Sequence, residues 1–575
     1  FEGLPFFYLR GAPPAGTVFY YDSIPLPALF HLGPGASVVH PRMLGDIQIV
    51  SGVPSARYGR LSGGLIVGDG PPPLTEGFVA EAEARLTDVS AYAHGRADDV
   101  EGSIAARYGF PGLIASAFVP SLDIQFADYQ LRAQLRLDRA RRLELVGLGS
   151  FDLFASNSYV GFQVLSYATT TLLFHRGELR YVESRGDMEA GIALRVGHDR
   201  GTNEDASTRL EVDAAGAGAR AWMALRQGTF RLRIGTEHYA NTGEIAGPPV
   251  AHPILGLAAG RRGRTTLAVY GELTWQPWPE LEIAGGTRAD VYIDPGALYA
   301  SADPRLRVEW RPDRALSVHG AAGLTHQPSI YVLPLPALNE LPARPGLQNV
   351  AQSEIGATIR ARHADVEVTL DVRGYLHRFE NMVVEDFIDT GILRFCDSSL
   401  SCRDFEGDVR LGWTSWGAEL DGRASLGRHV SARLAYTLGF LDADPLLGFV
   451  EYTPSQDVQH ILHAVLALDT GVGLTVGLRG FLRSGEVRGF NRLDPIRGPI
   501  RTEHRLPWWG RLDAMIAFAW DAGWARLRAS LDWVNVLFAL GGPPIDLVCD
   551  STDTCTLRTG PAIPLPSLGL RGTFQ

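Results

Sequence analysis

From Asp365 to Arg373 the chain alternates strictly, with Val366, Val368, Leu370 and Val372 on one face and Asp365, Glu367, Thr369, Asp371 and Arg373 on the other. A period of two is the signature of a half-buried β-strand. The same texture recurs further on. Val472, Leu474, Val476 and Leu478 oppose Gly473, Thr475, Gly477 and Arg479. Leu512, Ala514, Ile516, Phe518 and Trp520 oppose Arg511, Asp513 and small residues, and Ala525, Leu527, Ala529, Leu531 and Trp533 oppose Arg526, Arg528, Ser530 and Asp532. No stretch approaches the ~18 consecutive apolar residues of a transmembrane helix. Residues 1–74 lack the alternation and end in the stiff run Gly70-Pro71-Pro72-Pro73, which predicts a domain boundary there.

The connections decide what the strands build. Short polar turns are predicted at Asp138–Arg141, Ser184–Gly186, Arg226–Gly228, Trp278–Glu280, Arg311–Asp313, Arg362–Ala364 and Gly427–His429. Between them lie longer segments at 242–263, 328–349, 386–410, 442–456, 485–510 and 539–562. Short connections alternating with long ones predict an outer-membrane β-barrel, with the short turns periplasmic. In lipid, a closed barrel is the alternative to helices that leaves no backbone group unpaired. The spacing gives about 22 strands, an even number as required if both ends face the periplasm. Trp275, Trp278, Trp310, Trp520, Trp524 and Trp533 fall at or near strand ends, where an aromatic girdle belongs.

Composition narrows the function. The 575 residues include 65 glycines and 36 prolines, as many strands and turns require, and the net charge of −11 speaks against a nucleic-acid partner. Every basic residue is arginine, which suits fixed, bidentate pairing with carboxylates. The four cysteines stand in two similar polar phrases, Cys396-Asp-Ser-Ser-Leu-Ser-Cys402 and Cys549-Asp-Ser-Thr-Asp-Thr-Cys555. This spacing reads as two disulfides, Cys396–Cys402 and Cys549–Cys555, formed in an oxidising compartment. A four-thiolate zinc site would normally use closer pairs. There is no Gly-x-Ser-x-Gly elbow, His-Glu-x-x-His pair or phosphate loop, and His31, His326, His460 and His463 read as loop or lumen hydrogen-bonding groups. The chain is therefore not expected to be an enzyme, nor to carry a cofactor or metal.

The stretch from Ile47 to Asp69, IQIVSGVPSARYGRLSGGLIVGD, reads as strand, glycine-punctuated turn and strand. Its core, Arg57-Tyr58-Gly59-Arg60 followed by Gly63-Gly64, resembles the phrase that closes the plug of TonB-dependent outer-membrane receptors. Tyr8-Leu9-Arg10-Gly11, Val18–Pro27 around Asp22, and Phe30-His31 continue the resemblance upstream in the same order. The family usually writes Asp-Gly where this chain has Asp22-Ser23. The final Leu568–Gln575 resembles the family's barrel-insertion signal, although Gln575 follows the aromatic Phe574.

The resemblance implies an all-β, transmembrane antiparallel barrel over 75–575, with 1–74 as the C-terminal part of a plug inside the lumen. Roughly the first half of a family plug is missing before Phe1. Arg10, Arg57 and Arg60 are expected to pair with inward carboxylates such as Asp371, Glu419, Asp513 and Asp532. Phe30, His31, Pro34 and Gly35 are expected to form an apical ligand-binding loop. The implied partners are outer-membrane lipid and lipopolysaccharide, surface or periplasmic proteins, and a TonB-type energising complex that pulls on a segment upstream of Phe1. The implied activity is import of a scarce ligand, a siderophore, vitamin, glycan or peptide. The alternative is a transport-inactive structural or assembly barrel in a larger outer-membrane complex.

Overall fold

The computed structural model describes residues 8–32, 35–117, 121–160, 163–205, 208–247, 260–329, 336–337, 346–383, 392–396, 402–406, 410–446, 450–494, 498–537, 542–549, 555–560, 562 and 564–574. Twenty-two strands form one closed antiparallel barrel, beginning with Gly77–Arg85 and ending with Leu565–Phe574, which pair with each other to close it. The seven predicted turns all lie at the same end. There Arg136 leads to Arg141, Arg185 to Met188, Gln227 to Phe230, Trp278 to Leu281, Trp310 to Leu316, His363 to Val366 and Leu426 to Val430.

The alternation points outward as the membrane demands. In Met188–Asp205, Ile192, Leu194 and Val196 are exposed while Ala193 between them is buried. All six girdle tryptophans are exposed. An apolar exterior on a closed sheet is stable in hydrocarbon and not in water.

The opposite end departs from the expected regularity in two ways. Some connections there are short: Arg85 leads to Asp88, Val160 to Gln163, Asp205 to Arg209 and Asp294 to Ala297. Height comes from the strands instead, which reach 23 residues in Gln163–Arg185 against the roughly 9–11 needed to span a bilayer. Several longer connections also carry hairpins of their own. Ile392–Cys396 pairs with Cys402–Glu406, Val487–Asp494 with Gly498–Arg505, and Pro544–Cys549 with Cys555–Thr559. The register sets Cys396 opposite Cys402 and Cys549 opposite Cys555, while the tips 397–401 and 550–554 lie outside the described residues.

The N-terminal segment forms a separate four-stranded sheet: β1 Val18–Tyr21, β2 Ile24–Leu26, β3 Ile47–Val50 and β4 Leu65–Gly68, in the order β2-β1-β4-β3. Both faces are covered. Phe19, Tyr21, Ile24, Leu26 and Ile66 pack against the wall residues Tyr92, Ala105, Val146, Leu148 and Phe174. On the other face Leu65 and Val67 pack with Tyr58 and Leu61. The lumen wall is thus not uniformly polar, and a patch of it forms part of the plug's own core. The edge strand β3 leaves Ile47 and Ile49 exposed.

Candidate functional site: the interface of plug and wall

Arg10 is the most heavily tied of the predicted plug residues. Its backbone is left-handed, with φ of 50°, and the next residue, Gly11, has φ of +78°. A Cβ on Gly11 would stand 2.8 Å from Ser415, so this turn presses directly against the wall. Trp413 Nε1 donates to the Gly11 carbonyl at 3.0 Å. The buried Arg10 guanidinium spans two wall carboxylates, Glu354 at 2.7 Å and Glu419 at 2.9 and 2.7 Å, and lies 4.7 Å from the centre of the Tyr375 ring. Planar forks of this kind suit arginine and not lysine.

A second latch forms at Ser55–Arg60. Arg60 pairs with Glu237 at 2.7 Å, and wall Arg288 reaches the same carboxylate at 2.9 Å while also holding Asp290. Gly59 lets Arg288 approach, since a Cβ there would collide with its side chain. Arg288 donates to the Arg57 carbonyl at 2.9 Å, and Arg305 donates to the carbonyls of Ser55 at 2.8 Å and Tyr58 at 2.5 Å. Glu272 receives Ser55 Oγ at 3.0 Å and the Ala56 amide at 2.9 Å. Arg57 departs from expectation. Among the described residues its guanidinium lies over the Tyr58 ring, 4.4 Å from the centre, and donates to Tyr58 Oη, while its carbonyl meets the wall. Gly63 and Gly64 stitch the plug internally, Gly63 donating to Gly16 and the Gly64 carbonyl accepting from Val18, while Gln352 of the wall reaches the Gly63 carbonyl.

A third latch forms at His31, within the loop expected to be apical. His31 is fully buried between Asp152, 2.9 Å from Nδ1, and Asp128, 3.1 Å from Nε2, and stacks on Phe126 at 4.2 Å. Burial opposes protonation of His31, but the two carboxylates outweigh it and raise its pKa above the ordinary histidine value. His40 behaves oppositely. Burial, aided by the Arg107 guanidinium, lowers its pKa to about 4. Phe30 bridges to Ser37 and Gly35 folds tightly over His31, whereas Pro34 lies outside the described residues. His31 is thus turned to the wall, where two inward carboxylates claim both ring nitrogens.

Asp22 binds Arg180 at 3.1 Å and Arg132 at 3.5 Å. Of the carboxylates expected to hold the plug, Glu419 does so. Asp371, Asp513 and Asp532 pair with the wall arginines Arg373, Arg511 and Arg85 instead. Glu237, Glu272, Glu354, Arg288 and Arg305 were not foreseen. A signal existed in the pairs Glu178-x-Arg180, Arg288-x-Asp290 and Asp303-x-Arg305, where opposite charges two apart share one face of a strand.

The contacts run round the lumen, from Glu81 holding Arg42, past Asp128, Arg180, Glu237, Arg288 and Arg305, to Glu419. Together with the apolar packing on Tyr92, Val146, Leu148 and Phe174, these charge-assisted hydrogen bonds hold the plug to the wall.

Comparison with known proteins agrees. The family model described as TonB dependent receptor-like, beta-barrel, matches residues 78–535. At the level of sequence alone, no curated protein matches the chain. Among solved structures, the FrpB iron transporter from Neisseria meningitidis superposes with a TM-score of 0.66 at 13% identity, covering 99% of this chain and 93% of that one. The ferripyoverdine receptor of the Pseudomonas aeruginosa outer membrane, bound to ferripyoverdine, gives a TM-score of 0.68 at 12% identity over 99% of this chain and 81% of that one. The FpvAI–pyocin S2 complex from the same comparison gives 0.68 at 12% over 97% and 81%. The chain belongs to the TonB-dependent receptor family of outer-membrane β-barrels.

Proposed function

We propose that this protein imports a scarce ligand across the outer membrane, driven by the inner-membrane energising complex acting through a segment upstream of Phe1. The supporting observation is the chemistry of the plug's attachment: ion pairs and hydrogen bonds to wall side chains, with no covalent tie at Arg10, Arg60 or His31. Contacts of this kind hold a plug at rest and exchange for water when it is pulled, each contributing about 1.5–3 kcal/mol when well formed and less where water competes. A purely structural barrel has no need of a releasable plug, so this reading stands ahead of the assembly barrel. The ligand enters from the loop end, where the long connections and their hairpins stand. Ferric siderophores are the first class to try, because FrpB is titled an iron transporter and the Pseudomonas receptor is titled as bound to ferripyoverdine. Vitamin, glycan and peptide remain the other classes. A surface protein partner is proposed on the same footing, from the titled pyocin complex.

The test is accumulation of ligand. Protein from its native membrane is analysed by native mass spectrometry for retained ligand, and that ligand, labelled, is offered to cells with and without the energising complex. Accumulation only in the presence of the complex is expected. Equal accumulation in both, or none in either, would remove the importer reading in favour of the structural barrel.

A further inference from the structure

Between the plug and the wall, bordered on one side by the Arg60–Glu237 pair, lies a cavity of about 210 Å³. Its plug side is formed by Thr17, strands β1 and β2, and Gly59-Arg60; its wall side comes from strands between Gln163–Arg185 and Leu316–Pro328. Two features set it apart from ordinary packing space. Five arginines, Arg60, Arg176, Arg195, Arg220 and Arg264, are among its lining residues beside a single acidic one, Glu237, which Arg60 already pairs with. The carboxylates that pair with the wall arginines, Asp199, Glu178 and Asp294, do not line it. Glu178 is moreover shared among Arg180, Arg195 and Arg220.

The second feature is independent of charge. Three buried side chains at the cavity carry a polar atom without a hydrogen-bond partner among the described residues: Thr17 Oγ1, Tyr292 Oη and Gln327 Oε1. Tyr292 is 0%, Gln327 3% and Thr17 4% exposed. Buried polar atoms are almost always partnered, so three orphans round one space describe the complement of something that fills it. The Gln327 amide is oriented, because its NH₂ donates to the Ala15 carbonyl at 2.9 Å and leaves Oε1 to accept. The occupant must therefore donate a hydrogen bond to Gln327, and the two hydroxyls, which can donate, together with arginine suit an occupant that also carries acceptor oxygens.

We propose that this cavity is a binding site for a small oxyanion that also carries a hydroxyl, a hydrogen phosphate or a hydroxycarboxylate. Negative oxygens meet Arg220, Arg195 and the hydroxyls of Tyr292 and Thr17, and the anion's own hydroxyl donates to Gln327. The volume far exceeds the about 10–15 Å³ that one water needs, so water alone can enter, but water does not supply the second counter-charge that Arg195 and Arg220 need while they share the one carboxylate of Glu178. The site is one of binding and stands apart from transport, so it can be present in a barrel that imports nothing.

The experiment is equilibrium dialysis of the purified full chain in detergent against radiolabelled inorganic phosphate and, in a separate arm, radiolabelled citrate. Wild type is compared with Arg220→Gln, Tyr292→Phe and Thr17→Val. Arg220 is chosen because Glu178 keeps two other arginines, and Thr17→Val because it preserves shape; folding of each variant is read from heat-modifiable gel migration. The expected result is one saturable site per chain for at least one anion, with affinity lowered about tenfold or more in Arg220→Gln and Tyr292→Phe. Saturation by phosphate alone assigns a phosphate, by citrate alone a hydroxycarboxylate, and mutual competition the shared chemistry. Saturation by neither anion, which means a water-filled cavity, overturns the proposal. So does binding that is unchanged in all three folded variants, because the anion then sits elsewhere.

Discussion

Ser23 shows how a single residue can carry strain. It and Asp22 are the two central residues of the β1–β2 hairpin, with φ of 68° and 48°, as a two-residue turn of type I′ requires. The family places glycine at the second position, and this chain keeps the turn while placing a side chain in it. A left-handed non-glycine residue costs about 1–2 kcal/mol. Ser23→Gly is therefore expected to slow hydrogen exchange across Val18–Leu26 by up to about tenfold, measured by mass spectrometry; faster exchange there would show that the serine is favoured by a contact of its own. Arg10 and Arg57 make a contrasting pair. Removing Arg10 leaves Glu354 and Glu419 without their cation in a largely buried setting, at a cost of about 3–5 kcal/mol to plug docking. Arg57→Ala removes a stack on Tyr58 and a hydrogen bond to its Oη, both within the plug, and should cost about 1–2 kcal/mol. Urea-dependent proteolysis of the plug in the two variants ranks them, and a larger effect for Arg57 would contradict the assigned contacts.

At the scale of elements, the loop Phe30–Ser37 is held by charge that depends on pH. The pKa of His31 is raised in the folded protein, so its contribution is complete below the unfolded value of about 6.5 and is lost as pH rises through the folded value. His40 works from the other side: its folded pKa of about 4 means stability is lost as pH falls from about 6.5 toward 4. Hydrogen exchange of residues 30–40 should thus accelerate at both ends of a pH series. His31→Gln should abolish the alkaline arm and leave the acid arm; an alkaline arm that persists in that variant would assign it to another group. The loop hairpins offer a separate test. Their registers set Cys396 opposite Cys402 and Cys549 opposite Cys555, and peptide mapping without reductant is expected to find those two bonds. A peptide joining Cys396 to Cys549 or Cys555 would refute the pairing. Strands and short turns were legible in the sequence because alternation and turn residues are local signals. The loop hairpins and over-long strands were not, since the pattern that marks a membrane strand says nothing about how far it continues beyond the lipid.

The whole molecule is a closed sheet whose lumen has a dual surface, apolar where Tyr92, Val146, Leu148 and Phe174 meet the plug sheet and where Val350, Phe379, Met382 and Trp413 meet Ala12, and charged along the latches. The barrel and the plug phrases could be read from the chain, and so could Arg10 and Arg60 as the plug's cations. Their partners could not be read securely, because pairing across several hundred residues depends on strand tilt and register, which no local pattern carries. Asp371 and Asp513 looked as suitable as Glu354, yet each has an arginine two residues away on its own strand. What the assembled structure predicts is a barrel shut at rest by latches that are individually modest and collectively firm. Conductance of the purified protein in planar lipid bilayers tests this most directly, comparing wild type with the double variant Arg10→Ala/Arg60→Ala. Wild type should remain essentially closed while the double variant opens to frequent large-conductance events, its plug loosened at Glu354, Glu419 and Glu237. A wild-type barrel that conducts as a stable open pore, or a double variant as tight as wild type, would contradict it.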